Sequence, residues 1–76
     1  MSAGEPAGVR VGPDDVGHRV VVRHRLPDGM LSDLLGDLLA WDALVVVRDR
    51  HGVDHAVRRA DVALAKRVPP APERRR

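Results

Sequence analysis

An all-β fold is the class this sequence predicts, and three observations predict it. Two valine triplets, Val20-Val21-Val22 and Val45-Val46-Val47, have the β-branched composition of strands, and arginines flank them. Turn chemistry recurs between the apolar runs, at Leu26-Pro27-Asp28-Gly29 and at Arg50-His51-Gly52. A proline cluster, Pro69-Pro70-Ala71-Pro72, then ends all pairing, because proline brings no donor to a ladder.

The elements follow in order. Residues 1–12 are small, polar and non-periodic and read as a flexible leader. In Pro13-Asp14-Asp15-Val16-Gly17, Asp14 is placed to cap a short helical turn and Gly17 to end it. The first strand spans 19–26, with Val20 and Val22 on one face and Val21, Arg23 and Arg25 on the other. After the Pro-Asp-Gly turn comes LSDLLGDLLAWD, residues 31–42, which reads two ways. Its leucines at 31, 34, 35, 38 and 39 match helical spacing. Against a helix stand Gly36 in the middle, the turn before it and the break at Asp42-Ala43 after it. A strand bending around a small barrel is also apolar on both faces, with glycine at the bend. From the residues alone both readings stand.

A further strand spans 43–50. The next, 53–58, alternates Val53, His55 and Val57 against Asp54, Ala56 and Arg58. Arg59-Ala60-Asp61-Val62 suits a single 3₁₀ turn. A short closing strand, 64–68, leads into a Pro/Arg-rich tail over 69–76.

Composition bounds the rest. Seventy-six residues make one small domain. Cysteine is absent, which excludes disulfides and thiolate zinc sites. The start of the chain has no basic segment followed by an apolar one, so no signal peptide is expected, and no apolar run is long enough to span a bilayer. A soluble, cytoplasmic protein with no membrane partner is the expectation. The formal charge is +2, but Arg74, Arg75 and Arg76 supply three of the 13 basic residues. Without them ten basic residues face eleven acidic ones, so the folded part is not a basic nucleic-acid-wrapping domain. There is one tryptophan and no phenylalanine or tyrosine. That removes an aromatic groove for polyproline ligands, an aromatic cage for methyl-lysine and a stacking platform for single-stranded nucleic acid.

The segments VGPDDVGHRVVVRHRLPDG, LSDLLGDLLAWD, LVVVRDRHG and ADVALAKRVPPAP together resemble the small SH3-like N-terminal domain of actinobacterial GNAT-family N-acetyltransferases, which are often described as histone-acetyltransferase-related. The likeness covers roughly residues 11–72. It implies a five-stranded SH3-like barrel over 13–68, with the run around Gly36 as a strand over 30–41 and a 3₁₀ turn before the last strand. The expected core is Val20, Val22, Leu34, Leu38, Leu44, Val46, Val57, Val62 and Leu64, with Trp41 partly covered. In longer members of that family the proline-rich segment joins the barrel to a catalytic domain. The pyrophosphate loop that opens the acetyl-CoA site there has no counterpart among these glycines. The resemblance therefore implies an accessory domain, without cofactor, and not an enzyme.

No constellation of catalytic residues contradicts that. Ser2 and Ser32 lie in no nucleophile motif, and the aspartates are scattered over turns and strand faces. Of His18, His24, His51 and His55, the last two are four apart and would share a face on a helix, but Gly52 and the hairpin pattern put them on a loop and a strand; the four read as solvent-exposed histidines, so no metal is expected. The remaining candidates form an interaction surface: Trp41 with Arg23, Arg25, Arg48 and Arg50, plus the tail Arg74, Arg75 and Arg76. Trp41 reads first as a partly buried packing residue at the end of the second strand, ahead of a ligand contact. Further cations at Arg19, Arg58, Arg59, Lys66 and Arg67 make either an anion-binding patch or a solvated face of mixed sign. The P-x-x-P-x-R pattern ending at Arg74 reads as a remnant of a linker. The function expected is a non-catalytic interaction or scaffolding module with a protein partner, an acetyltransferase domain in particular. Its rival is a small nucleic-acid-associated protein using the strand arginines and the tail. Self-association as a homodimer, through strand edges and surplus leucines, is a third reading.

Overall fold

Both valine triplets become strands. The computed structural model describes residues 8–69. In it β1 (Arg19–Arg25), β2 (Leu31–Trp41), β3 (Leu44–Arg48), β4 (Asp54–Arg58) and β5 (Val62–Arg67) are joined by turns. Two single 3₁₀ turns, Pro13–Asp15 and Arg59–Asp61, precede β1 and β5. All ladders between strands are antiparallel and the order is β4-β3-β2-β1-β5. This is the all-β, small-barrel architecture the sequence predicts, with β4 and β5 at its two edges.

The ambiguous run is a strand because both its sides are paired. Residues 31–37 of β2 match β1 one for one, from Arg25↔Leu31 to Arg19↔Asp37. The turn before it sets this register. Gly29 takes φ +88, Leu26 N–H donates to the Met30 carbonyl at 2.7 Å, and Met30 N–H donates to Asp28 Oδ1 at 2.9 Å. A helix over the same residues would take from β1 and β3 the partner they share and split the sheet into two two-stranded pieces, so the ladder overrides the leucine periodicity. The leucines then divide by face. Leu38 is fully buried and Leu34 packs against the core, whereas Leu31 and Leu35 are about half exposed.

Gly36 sits where the end of β3 crosses close over β2. A Cβ added there would lie 2.8 Å from the Arg48 carbonyl carbon and 3.1 Å from Asp49 Cα. Those are backbone atoms held in a ladder and cannot retreat as a side-chain tip would. Glycine is what lets the sheet bend onto itself.

The core is Val11, Val20, Val22, Leu38, Trp41, Val45, Val47, Val62 and Ala65, with Val9, Leu34 and Val57 against it. Three expected members are absent. Leu44 is 50 % exposed, and Val46 and Leu64 are only partly covered. A β-bulge explains the first two. Leu38 pairs with Val47 but Trp41 pairs with Val45, so β2 spends one extra residue between them. Inward positions therefore pass from 38 to 41, and β3 buries its odd residues instead of its even ones. A second irregularity, between Arg23 and His24, places Val62 opposite His24 and Ala65 opposite Val22. Val62 and Ala65 thereby both point inward, and Leu64 is displaced. Trp41, expected to be partly covered, is 5 % exposed.

Residues 8–12, assigned to the leader by sequence, lie on the sheet, while 1–7 and 70–76 fall outside the described residues. Val9 bridges Ala65 in parallel; Arg10 N–H donates to the Ala65 carbonyl at 2.7 Å, and Ala65 N–H to the Gly8 carbonyl at 3.1 Å. The short turn after this arm is capped by Asp15 and not by Asp14, with Gly12 N–H donating to Asp15 Oδ2 at 2.8 Å. Asp15 Oδ1 also accepts from Arg67 Nε at 2.6 Å, tying the turn to β5.

Gly36→Ala should therefore cost about 1–3 kcal/mol or prevent folding, read from the urea midpoint followed by Trp41 fluorescence. Leu38→Ala should cost about 2–5 kcal/mol, whereas Leu44→Ala should stay within about 0.5 kcal/mol. Equal losses for the two leucines would refute the inverted parity of β3.

Candidate interaction surface

Strand residues that do not face the core form the outer face of the sheet, and register places their charges in rows. One row runs Arg19↔Asp37↔Arg48↔Asp54 across β1, β2, β3 and β4, with alternating sign. Arg48 Nε donates to Asp54 Oδ1 at 2.7 Å. A second pair joins Arg23 to Asp33, with Nε to Oδ1 at 2.9 Å and Nη2 to Oδ2 at 3.3 Å. Hydrogen bonds from their arginines hold the Asp33 and Asp54 carboxyls below the ordinary carboxylate value. Each of these side chains is roughly half exposed, so the pairs fix side-chain geometry more than they stabilise the fold.

Exposed hydrocarbon lies between these charges. Leu35 stands opposite Val21, Leu31 opposite Arg25, and Leu64 opposite Arg23. Leu31, Leu35 and Leu44 are each about half exposed, and Met30 is 63 % exposed at the turn. The outer face is thus an apolar surface divided by ion pairs. Sequence reasoning put Leu31 and Leu35 into one amphipathic pattern with Leu34, Leu38 and Leu39. Which of them are left outside became readable only with the β1–β2 register.

The candidate arginines separate into two places. Arg48 and Arg50 line a groove of about 520 Å³ together with Arg19, Leu35, Gly36, Asp37, Asp49 and His51. Arg25 lines a smaller hollow beside the second 3₁₀ turn, formed by Ala60–Ala63. Arg23 belongs to neither and is held by Asp33. Trp41 is a core residue and leaves the surface set, because the β2 bulge turns its side chain inward. Arg74, Arg75 and Arg76 lie outside the described residues. Of the two readings of the strand cations, the surface of mixed sign is what the register builds.

The histidines differ from one another. His18 and His51 are exposed as expected, but His24 is 9 % exposed, because it shares the inward parity of Val20 and Val22. His55 is half-buried, with Nε2 hydrogen-bonded to Asp49 Oδ2 at 2.8 Å. Among the described residues no three metal-binding side chains cluster, and no helix is long and apolar enough to cross a membrane.

Asp49 organises the β3–β4 hairpin. Its Oδ1 accepts the N–H groups of His51 at 2.8 Å and Val53 at 3.0 Å, an Asx-turn arrangement. The hydrogen bond from His55, with these two, lowers the carboxyl from 3.8 to about 2. A folded value below the unfolded one contributes stability that is complete above the unfolded value and lost as pH falls towards the folded one. Urea midpoints should therefore decline between about pH 4 and pH 2, and Asp49→Asn should show a flatter profile over that window. Parallel profiles for the two proteins would rule this out.

One family model matches the chain, the Rv0428c N-terminal Sm-like domain, over residues 14–66. No curated protein and no solved structure matches. The matched span runs from the first 3₁₀ turn to the penultimate residue of β5, and so includes all of β1 to β4 and nearly all of β5. This chain belongs to the family of the Rv0428c N-terminal Sm-like domain.

Proposed function

We propose that the chain is a non-catalytic protein-interaction module, and that its partner is an acetyltransferase domain of the GNAT type. The observation that carries this reading is the outer face. Leu35 lies between the two ion pairs, Leu31 and Leu44 lie beyond them, and all three remain half exposed, hydrocarbon that a monomeric surface gains nothing by presenting. Sm-like domains often mediate protein or RNA interactions, which agrees with a binding role. The acetyltransferase partner, like an actinobacterial source, is supported by the sequence resemblance spanning the valine-arginine strand and the A-K-x-V-P-P-A-P segment.

In this reading the leucines provide the area and the Arg23–Asp33 and Arg48–Asp54 pairs provide orientation. Their side chains are already ordered, so less conformational entropy is lost on docking. Titration with an acetyltransferase domain encoded beside this chain should give saturable binding that Leu35→Asp weakens about tenfold or more without shifting the urea midpoint. Unchanged binding by that variant would overturn the surface. The purified chain should release no CoA from acetyl-CoA with amine acceptors, and turnover would overturn the non-catalytic reading.

The groove lined by Arg19, Arg48, Arg50 and His51 favours a second reading, a small nucleic-acid-associated protein. Asp37 and Asp49 line the same groove and weaken its attraction for phosphate. Electrophoretic shift across a salt series separates the two readings. Binding that falls steeply with salt supports nucleic acid, and its absence at about 50 mM salt removes that reading.

A further inference from the structure

We infer that β4 is a self-complementary edge, and that two copies of this chain pair along it, antiparallel and centred on Ala56, as a closed dimer. The inference goes beyond the partner proposed above and does not depend on it. It begins with which backbone groups β4 leaves free. Asp49 N–H donates to the Val53 carbonyl and Arg59 N–H to the Ala43 carbonyl, each at 2.9 Å. In an antiparallel ladder hydrogen-bonded pairs alternate with unbonded ones. The bonded pairs between β3 and β4 are therefore Val47–His55 and Val45–Val57. Asp54, Ala56 and Arg58, which match Arg48, Val46 and Leu44 in register, direct their N–H and C=O groups away from β3. All three are exposed.

A two-fold axis through Ala56 sets Ala56 against itself and Asp54 against Arg58 of the second copy, twice. Every outward N–H then meets an outward C=O, since these three positions have the same parity. Each charge meets its opposite. The smallest side chain of the strand lies on the axis, where two copies of one residue must share space. The charge row also continues unbroken: Arg19, Asp37, Arg48 and Asp54 of one copy are followed by Arg58 of the other. Arg58 is free to take part. Its side chain is 75 % exposed and its only ion pair among the described residues, with Asp61, is long at 3.2 Å.

The opposite edge does not compete. Ala65 of β5 spends its outward N–H and C=O on Gly8 and Arg10, so the N-terminal arm already covers that edge. Head-to-tail addition of β4 to β5, which would propagate into rings or fibres, would have to displace that arm from Ala65. Pairing of β4 with itself closes at two copies.

Sedimentation of the full chain over a dilution series should show a reversible monomer–dimer equilibrium that weakens with salt. Arg58→Glu sets two carboxylates against each other at both symmetric positions, since each Asp54 then faces the substituted side chain of the other copy. It should raise the dissociation constant about tenfold. Asp54→Lys makes the mirror-image repulsion. Mixing these two variants should restore association as a heterodimer, because both cross-strand pairs are then of opposite charge. Ala56→Pro removes the central outward donor without taking a bond from β3 and should abolish the dimer, with unchanged Trp41 fluorescence showing an intact fold. A chain that stays monomeric at the highest concentration, or grows past two copies, overturns the inference. So does a folded Ala56→Pro protein that still dimerises, or a mixture of the charge variants that associates no better than either alone.

Discussion

The close approach of the Arg48–Asp49 backbone to Gly36 is the constraint on which the rest of this fold depends. Seventy-six residues supply too little hydrocarbon for two packed layers, so a single sheet must bend far enough to bury its own inner face. The bend requires the exit of β3 to lie against β2 at backbone distance, and only a residue without a side chain permits it. The β3–β4 hairpin follows from that position, since Asp49 lies over Gly36 with its Cα and braces the turn with its carboxylate. Loss of the approach would open the sheet and expose Val45 and Val47 together.

The two bulges are the second device. An unbroken alternation would send one of Leu38 and Trp41 outward, and one of Val62 and Ala65. Each bulge resets the phase, so a small sheet gathers residues of both parities into one core. The cost is visible on the outside, where Leu31, Leu35 and Leu44 remain half exposed. Interior economy and exterior stickiness thus have a common origin in strand geometry.

Much of the fold was legible in the chain because its signals are local. Three-valine runs, Pro-Asp-Gly and the 3₁₀ turn at Arg59–Asp61 each act within a few residues, and the strands fall within about two residues of where they are read. The phase of β3 and β5 was not legible, because bulges belong to a pair of strands and leave no mark on either alone. For the same reason the sequence offered Leu44, Val46 and Leu64 as core in place of Val45, Val47 and Ala65. The arm at 8–11 escaped notice because Val9 and Val11 stand among glycines and become apolar contacts only once β5 lies beside them. Of the candidate surface, the arginines were visible but their partners were not. Register, and not proximity along the chain, sets Asp33, Asp37 and Asp54 beside Arg23, Arg19 and Arg48.

The parallel arm has a consequence for the way the chain enters and leaves its own fold. Val9 arrives beside Ala65, and Val68 departs after donating its N–H to the Arg19 carbonyl at 2.9 Å. Entry and exit therefore flank β5 on opposite sides, the arm on its open edge and Val68 against β1. Because the arm runs parallel to β5, tension pulling residues 8 and 69 apart would load the two bonds at Ala65 together, in shear, before it reached the β2–β3 ladder around Gly36.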